Sequence, residues 1–393
     1  MSGEQPARTP TTYALVSHES AVEVIWSLAK RKWKGVLDNE GIWLVPDSDY
    51  CVKTQGEFKE LAKEVDLVEL GIRHMPVDLL VPNKSCFSRG KRARFHVWKD
   101  SFPPNSFVKI RDRIFVSTPY FTVLQLAVSR RADGQTLAHA EAEAAEDARL
   151  GAELGIEDET LTADQLTQWR NIARLARATQ VLCDFMGTYR FIPSASTADS
   201  GFADGEYQTK PLISPEAFDA YLTQMHKVRG IIRARRVAEL AFACSASPME
   251  TALALMLTLP VEMGGFGLPR PQLNREAPVD PALRDLSSKD TIIADLCWPD
   301  QRVAIEYYGW DEHFGAGPGK VASDAARANS LTALGWTVLH ATFEQVRTVA
   351  GVSLLARQLA FLLGAPLVTP SKLERIWRTR LWALLLPRLN RSL

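Results

Sequence analysis

Asp295 and Glu306 are the residues whose types and spacing point most directly to chemistry. They sit in two apolar runs, TIIADLCW and RVAIEYYG, joined by Pro299-Asp300-Gln301. Both runs read as buried β-strands. A hairpin centred between Asp300 and Gln301 sets Asp295 directly opposite Glu306. Side chains paired in this way stand about 4.5–5.5 Å apart at Cβ, and like charges there repel. Burying both carboxylates is costly unless they are protonated or bridged by a cation. A hard divalent ion with oxygen ligands resolves the conflict. Mg²⁺, or Mn²⁺ in its place, is the ion expected where phosphate is the substrate. The plainer alternative is a strand-end pair that faces solvent. Glu250 is either a third ligand or an acid in a first helical turn, where the helix dipole favours it.

The elements that must position these residues follow a readable order. Ser247-Pro248 opens the helix METALALMLTLP. The Gly/Pro-rich connector GGFGLPRPQLN has room for a strand, and the two carboxylate strands come next. A helix from Ser323 to Gly335, the strand WTVLHAT, and a helix with a Thr342/Gln345 capping box complete the set. Positions 306 and 308 share a strand face, so Tyr308 points into the same site.

ADLCWPDQRVAIEYYGWDEHF followed by SDAARANSLTALGWTVLHAT resembles the PD-(D/E)XK nucleases, in the branch similar to very-short-patch-repair endonucleases. The resemblance covers roughly residues 246–363. It rests on Asp295, Glu306, Gly309, His313, Asp324, Arg327, Gly335 and Trp336, with Glu250 on the entry helix. It implies a restriction-endonuclease-like αβββαβ core. It also implies a metal held by Glu250, Asp295 and Glu306, and His313 and Arg327 near the scissile phosphate. His313 is otherwise a lone loop histidine, and Arg327 an ordinary ion-pair partner of Asp324. In place of the Asp usual in this branch, or the Lys of the wider superfamily, the chain carries Tyr308. A phenol is a poor metal ligand near neutral pH and no substitute for an ammonium. Asp311 or Glu312 compensates from the loop, or the site is weakened.

Further upstream, SHESAVEVIWSL, PVDLLVP with its basic stretch, and RIFVSTPYFTVLQLA resemble the body of AbiEi-type antitoxins of type IV toxin–antitoxin systems. In this α+β region of residues 1–130, the pieces GIWLVP, PVDLLVP, ARFHVW, FVKIRD and RIFVST predict an antiparallel sheet. Residues 131–245 read as a helical connecting region. It carries an Ala/Glu-rich segment, a loop at 192–212 and one long helix from Ser214 to Ser245. Residues 246–393 form the nuclease-like domain with its C-terminal helix, giving an α/β chain.

Formal net charge is zero over 393 residues, so nucleic-acid contact must come from local basic patches. Candidates are Arg89, Lys91 and Arg92, then Arg233 and Arg236, with Arg327 at the site; each is also compatible with a solvated face. The five scattered cysteines form no CxxC pair, which argues against a disulfide framework or zinc ribbon. No long apolar run or signal-like start is seen, so the expected location is the cytoplasm, with no membrane partner. The tail SKLERIWRTRLWALLLPRLNRSL reads as an amphipathic docking helix. Two functions compete. One is a metal-dependent DNA endonuclease or nickase of defence or repair. The other is a non-catalytic, antitoxin-like regulator that binds DNA or a protein such as a cognate toxin.

Overall fold

The computed structural model describes residues 12–30, 51–82, 90–128, 161–191, 205–278, 291–308 and 329–386. The chain is a mixed α/β protein with two larger sheets and a small hairpin. The first sheet holds β1 (Ala14–Val16), β2 (Val77–Val81), β3 (Ala93–Val97), β4 (Phe107–Arg111) and β5 (Ile114–Ser117), in the order β3-β2-β1-β5-β4. The sequence predicted an antiparallel sheet here. Instead β1 runs parallel to β5, and β2 parallel to β3. The first of these pairs arises because β1, a three-residue strand beside a Pro/Thr-rich start, inserts at the sheet centre. GIWLVP lies outside the described residues.

Two helices, α1 (His18–Lys30) and α3 (Pro119–Ala127), follow β1 and β5 and pack together, while α2 (Gln55–Glu64) opens with a full capping box at Thr54 and Glu57. Polar groups knit this junction. His18, with φ of 50°, donates its backbone N–H to Gln125 Oε1 at 3.1 Å and stacks on His96 with ring centroids 3.7 Å apart. His96 Nε2 in turn meets the buried Asp78 carboxylate at 2.6 Å.

The long α4 (Ala163–Met186) is the shared wall of the molecule, packing on α3, α6 (Ile231–Leu240), α7 (Pro248–Thr258) and α10 (Lys372–Leu385). Apolar residues from Ala14 to Leu386 therefore form one contiguous core. Two expectations for residues 192–245 are corrected. Within the expected loop, β7 (Gly205–Tyr207) pairs antiparallel with β6 (Tyr189–Phe191). The single long helix is broken into α5 (Pro215–Thr223) and α6, because the chain turns through Gly230 at φ of 86°.

The second sheet carries the carboxylates. Helix α7 leads to β8 (Gln272–Pro278), β9 (Thr291–Trp298) and β10 (Val303–Tyr308), and residues 329–333 are helical. Next come β11 (Thr337–Thr342), α8 (Phe343–Val346) and α9 (Val349–Leu363). The sheet order is β11-β10-β9-β8, antiparallel except for the β10–β11 pair. Helix α7 is apolar on all sides beyond Glu250 and Thr251 in its first turn and is wholly buried from Met249 to Leu257, as suits a helix packed on α4, α10 and β9.

Helix α10 docks as its amphipathic pattern predicted. Trp377 and Trp382 are fully buried, and Trp377 stacks on Trp169 with centroids 5.5 Å apart. Arg378 reaches the carbonyls of Gly264 and Gly265 at 3.2 and 3.0 Å and lies over the Phe266 ring at 4.0 Å. The helix approaches so closely that a Cβ on Gly264, where φ is 97°, would stand 2.5 Å from the Trp377 backbone. Trp377→Ala should therefore cost about 3–5 kcal/mol in urea denaturation. A loss within experimental error would refute the docking role of α10. Gly264→Ala should also destabilise, because both the backbone turn and the space are denied to a methyl group.

Candidate functional site

Strand register builds the site. The β9–β10 hairpin pairs Trp298 with Val303, Cys297 with Ala304 and Leu296 with Ile305, which carries Asp295 to the position opposite Glu306. The parallel β10–β11 ladder pairs Glu306 with His340. On the other side, Leu273 and Arg275 pair with Leu296 and Ala294, so Asn274 falls opposite Asp295. One polar residue from each of the four strands thus stands in a single transverse row: Asn274, Asp295, Glu306, His340. The hairpin itself turns at Pro299–Gln301, with Arg302 in the left-handed region at φ of 53°.

Each member of the row has a distinct environment. Glu306 is 1% exposed, and both its carboxylate oxygens are shut off from water. Asp295 is half-buried, and its Oδ2 accepts the Tyr307 backbone N–H at 2.7 Å. Asn274 adopts a left-handed backbone at φ of 46°. Its amide donates to Glu250 Oε2 at 2.5 Å. The same oxygen accepts the Ala246 backbone N–H at 2.8 Å, while the Glu250 backbone N–H donates to the Ser247 N-cap hydroxyl at 3.2 Å. Burial first, and the Asp295 charge second, push the Glu250 carboxyl up to about 8. At the exposed end, the Tyr308 hydroxyl lies 3.1 Å from His340 Nδ1.

The structure therefore gathers Glu250, Asp295, Glu306 and Tyr308 around one stretch of sheet. His313, Arg327 and Arg89 lie outside the described residues, as do Asp311, Glu312 and Asp324. Lys91 and Arg92 are exposed beside β3, far along the chain from the carboxylates. Arg233 Nη2 donates to Asn171 Oδ1 at 3.4 Å, and Arg236 pairs with Glu239 at 2.9 Å, both on α6. Among the described residues, no three His, Cys, Asp or Glu side chains form a group that could hold a metal ion.

Asn274 and His340 are the two members that sequence reasoning missed. The signal for His340 was present: it is a polar residue in a strand, and register alone assigns it to Glu306. Asn274 carried a weaker signal, an Asn inside a strand-compatible run, where that residue tolerates positive φ.

No family model matches the chain, and no solved structure matches it significantly. Among curated proteins it is similar to "Uncharacterized protein MT2308" of Mycobacterium tuberculosis strain CDC 1551 / Oshkosh and "Uncharacterized protein Rv2248" of strain ATCC 25618 / H37Rv. Each is 31% identical over 123 residues, which is 31% of this chain and 40% of the relative. The match thus spans two-fifths of the length of those relatives.

The raised Glu250 carboxyl makes a pH prediction. Folding holds its proton up to about pH 8, whereas the unfolded chain releases it near 4.5. Stability is thus fully present below the lower value and declines as pH rises to the upper one. Chemical denaturation between pH 5 and pH 8 should show this decline, on the order of a few kcal/mol. Glu250→Gln should flatten it, and Asp295→Asn should shrink it by removing the neighbouring charge. An unchanged slope in Glu250→Gln would contradict the assignment.

Proposed function

We propose that the chain is a divalent-metal-dependent phosphodiesterase acting on DNA, an endonuclease or nickase, with the carboxylate face of the second sheet as its active site. The observation that carries this reading is the register that aligns Asp295 with Glu306 on adjacent strands, with the Asp295 charge acting on Glu250. The order α7, β8, β9, β10, a helix ending before Gly335, then β11 also agrees with the αβββαβ core implied by the PD-(D/E)XK resemblance.

The donor set suits Mg²⁺ or Mn²⁺. All three carboxylates offer hard oxygen atoms, and two of them, Glu250 and Glu306, are buried. Clustered acids that raise one another's proton affinity are relieved by a cation. Mg²⁺ usually takes only one or two protein carboxylates, with water and substrate phosphate completing its shell. Asp295 and Glu306 would hold the ion, and Glu250 adds a third negative group behind Asp295. When bound, the ion supplies water activation and stabilises charge on the phosphoryl oxygens. The Tyr307 N–H that binds Asp295 Oδ2 fixes that carboxylate's orientation.

A second reading is a non-catalytic regulator that binds DNA or a protein such as a cognate toxin. It is favoured by Tyr308, which brings neither ammonium nor carboxylate to its position on the carboxylate face, and by the antitoxin-like first half.

Calorimetric titration with Mg²⁺ and Mn²⁺, followed by cleavage of a supercoiled plasmid, separates the two readings. Wild type should bind and cut. Asp295→Ala should abolish both while leaving the thermal unfolding cooperative. Equal cutting by Asp295→Ala would sink the enzyme reading, and absence of both binding and cutting in wild type would favour the regulator.

A further inference from the structure

His340 lies outside the resemblance described above, which assigns its histidine to the loop position His313. Register sets His340 beside Glu306, and alternation puts Tyr308 on the same face. The Tyr308 hydroxyl is 3.1 Å from His340 Nδ1, and the two rings stand 5.5 Å apart at 34°. Burial changes steeply along this short path. Glu306 is 1% exposed, Tyr308 is half-buried, and His340 is exposed on the edge strand β11. A phosphodiester approaching from solvent would reach the imidazole before the buried carboxylate.

We propose that His340 is the proton-transfer residue of this face and that Tyr308 is the residue that positions it. The inference rests on the phosphodiesterase reading and names the group that replaces the missing charge at position 308. When His340 donates Nδ1–H to the Tyr308 oxygen, the lone pair sits on Nε2, the nitrogen left to meet substrate. This is the arrangement by which a third group fixes the tautomer of a catalytic base. The step balances as a hydrolysis. The oxygen of a water molecule forms the new bond to phosphorus, and its proton passes to Nε2 of His340. The bond from phosphorus to the leaving oxygen breaks, and that oxygen takes a proton from solvent. The imidazolium then returns its proton to bulk water. His340 acts on the attacking water and not as a metal ligand.

The test uses the full chain, a supercoiled plasmid with Mn²⁺, and calorimetric Mn²⁺ titration in parallel. His340→Ala should keep the wild-type Mn²⁺ affinity and lose about 10²–10⁴-fold in cleavage rate. Added imidazole should restore part of that loss. Tyr308→Phe should lower kcat with KM unchanged, and imidazole should not rescue it. Cleavage by His340→Ala at the wild-type rate would overturn the inference. So would a loss that imidazole does not restore, or a loss of Mn²⁺ binding together with cleavage, which would mark a structural role. A wild-type protein that neither binds Mn²⁺ nor cuts overturns the phosphodiesterase reading and this inference with it. Wild-type cutting with an unimpaired His340→Ala overturns the inference alone.

Discussion

Two carboxylates on the neighbouring strands β9 and β10 repel one another, and the structure around them is arranged to contain that repulsion. Asp295 is restrained by the Tyr307 N–H, Glu306 is sealed from water, and Glu250 keeps its proton to about pH 8 while accepting bonds from Ala246 and Asn274. Protonation of one acid and backbone donation to another are the two means by which a protein tolerates clustered carboxylates without a cation. A bound divalent ion would be a third means, and the proposed function rests on it.

Holding the acids in place requires a rigid support, and the chain supplies it from distant segments. The N-terminus of α7 carries Glu250 and is capped by Ser247. The body of α7 is buried between α4, α10 and β9. Arg270 reinforces the approach to β8 by donating to the carbonyls of Leu240 and Ala241 at 3.0 and 2.6 Å, and Trp298 Nε1 donates to the Pro269 carbonyl at 2.9 Å. The Gly264-Gly265 turn admits α10, whose Arg378 satisfies the turn's own carbonyls. Buried backbone acceptors in an irregular connector would otherwise carry a desolvation cost of about 1–3 kcal/mol each.

The first half of the chain joins the same core through α3 and α4 rather than standing apart from it. Glu19 on α1 and Arg177 on α4 form a bidentate pair at 3.0 and 2.9 Å. Such two-point contacts fix orientation as well as distance. Arg190 adds a bond from the small hairpin to the Ala29 carbonyl at 3.0 Å, so α4 holds the first turn of α1 and the hairpin its last.

By itself, the sequence determined the elements whose signals are local. The strands around Asp295 and Glu306, their register, the Ser247 and Thr342 caps, and the apolar face of α10 all follow from alternation, turn length and capping chemistry within about a dozen residues. Other features were decided only by tertiary structure, because they join residues far apart in sequence. The short β1 is a strand only because β2 and β5 flank it. The break at Gly230 lay inside an apparently continuous helical pattern, which periodicity alone carries straight through. Asn274 and His340 entered the row because β8 and β11 each dock in one register, and Glu250 became a buried proton-holding acid because α7 packs against that sheet. Local patterns fix which residues are candidates. Burial, and with it the charge state of each candidate, depends on what the rest of the chain places on top of them.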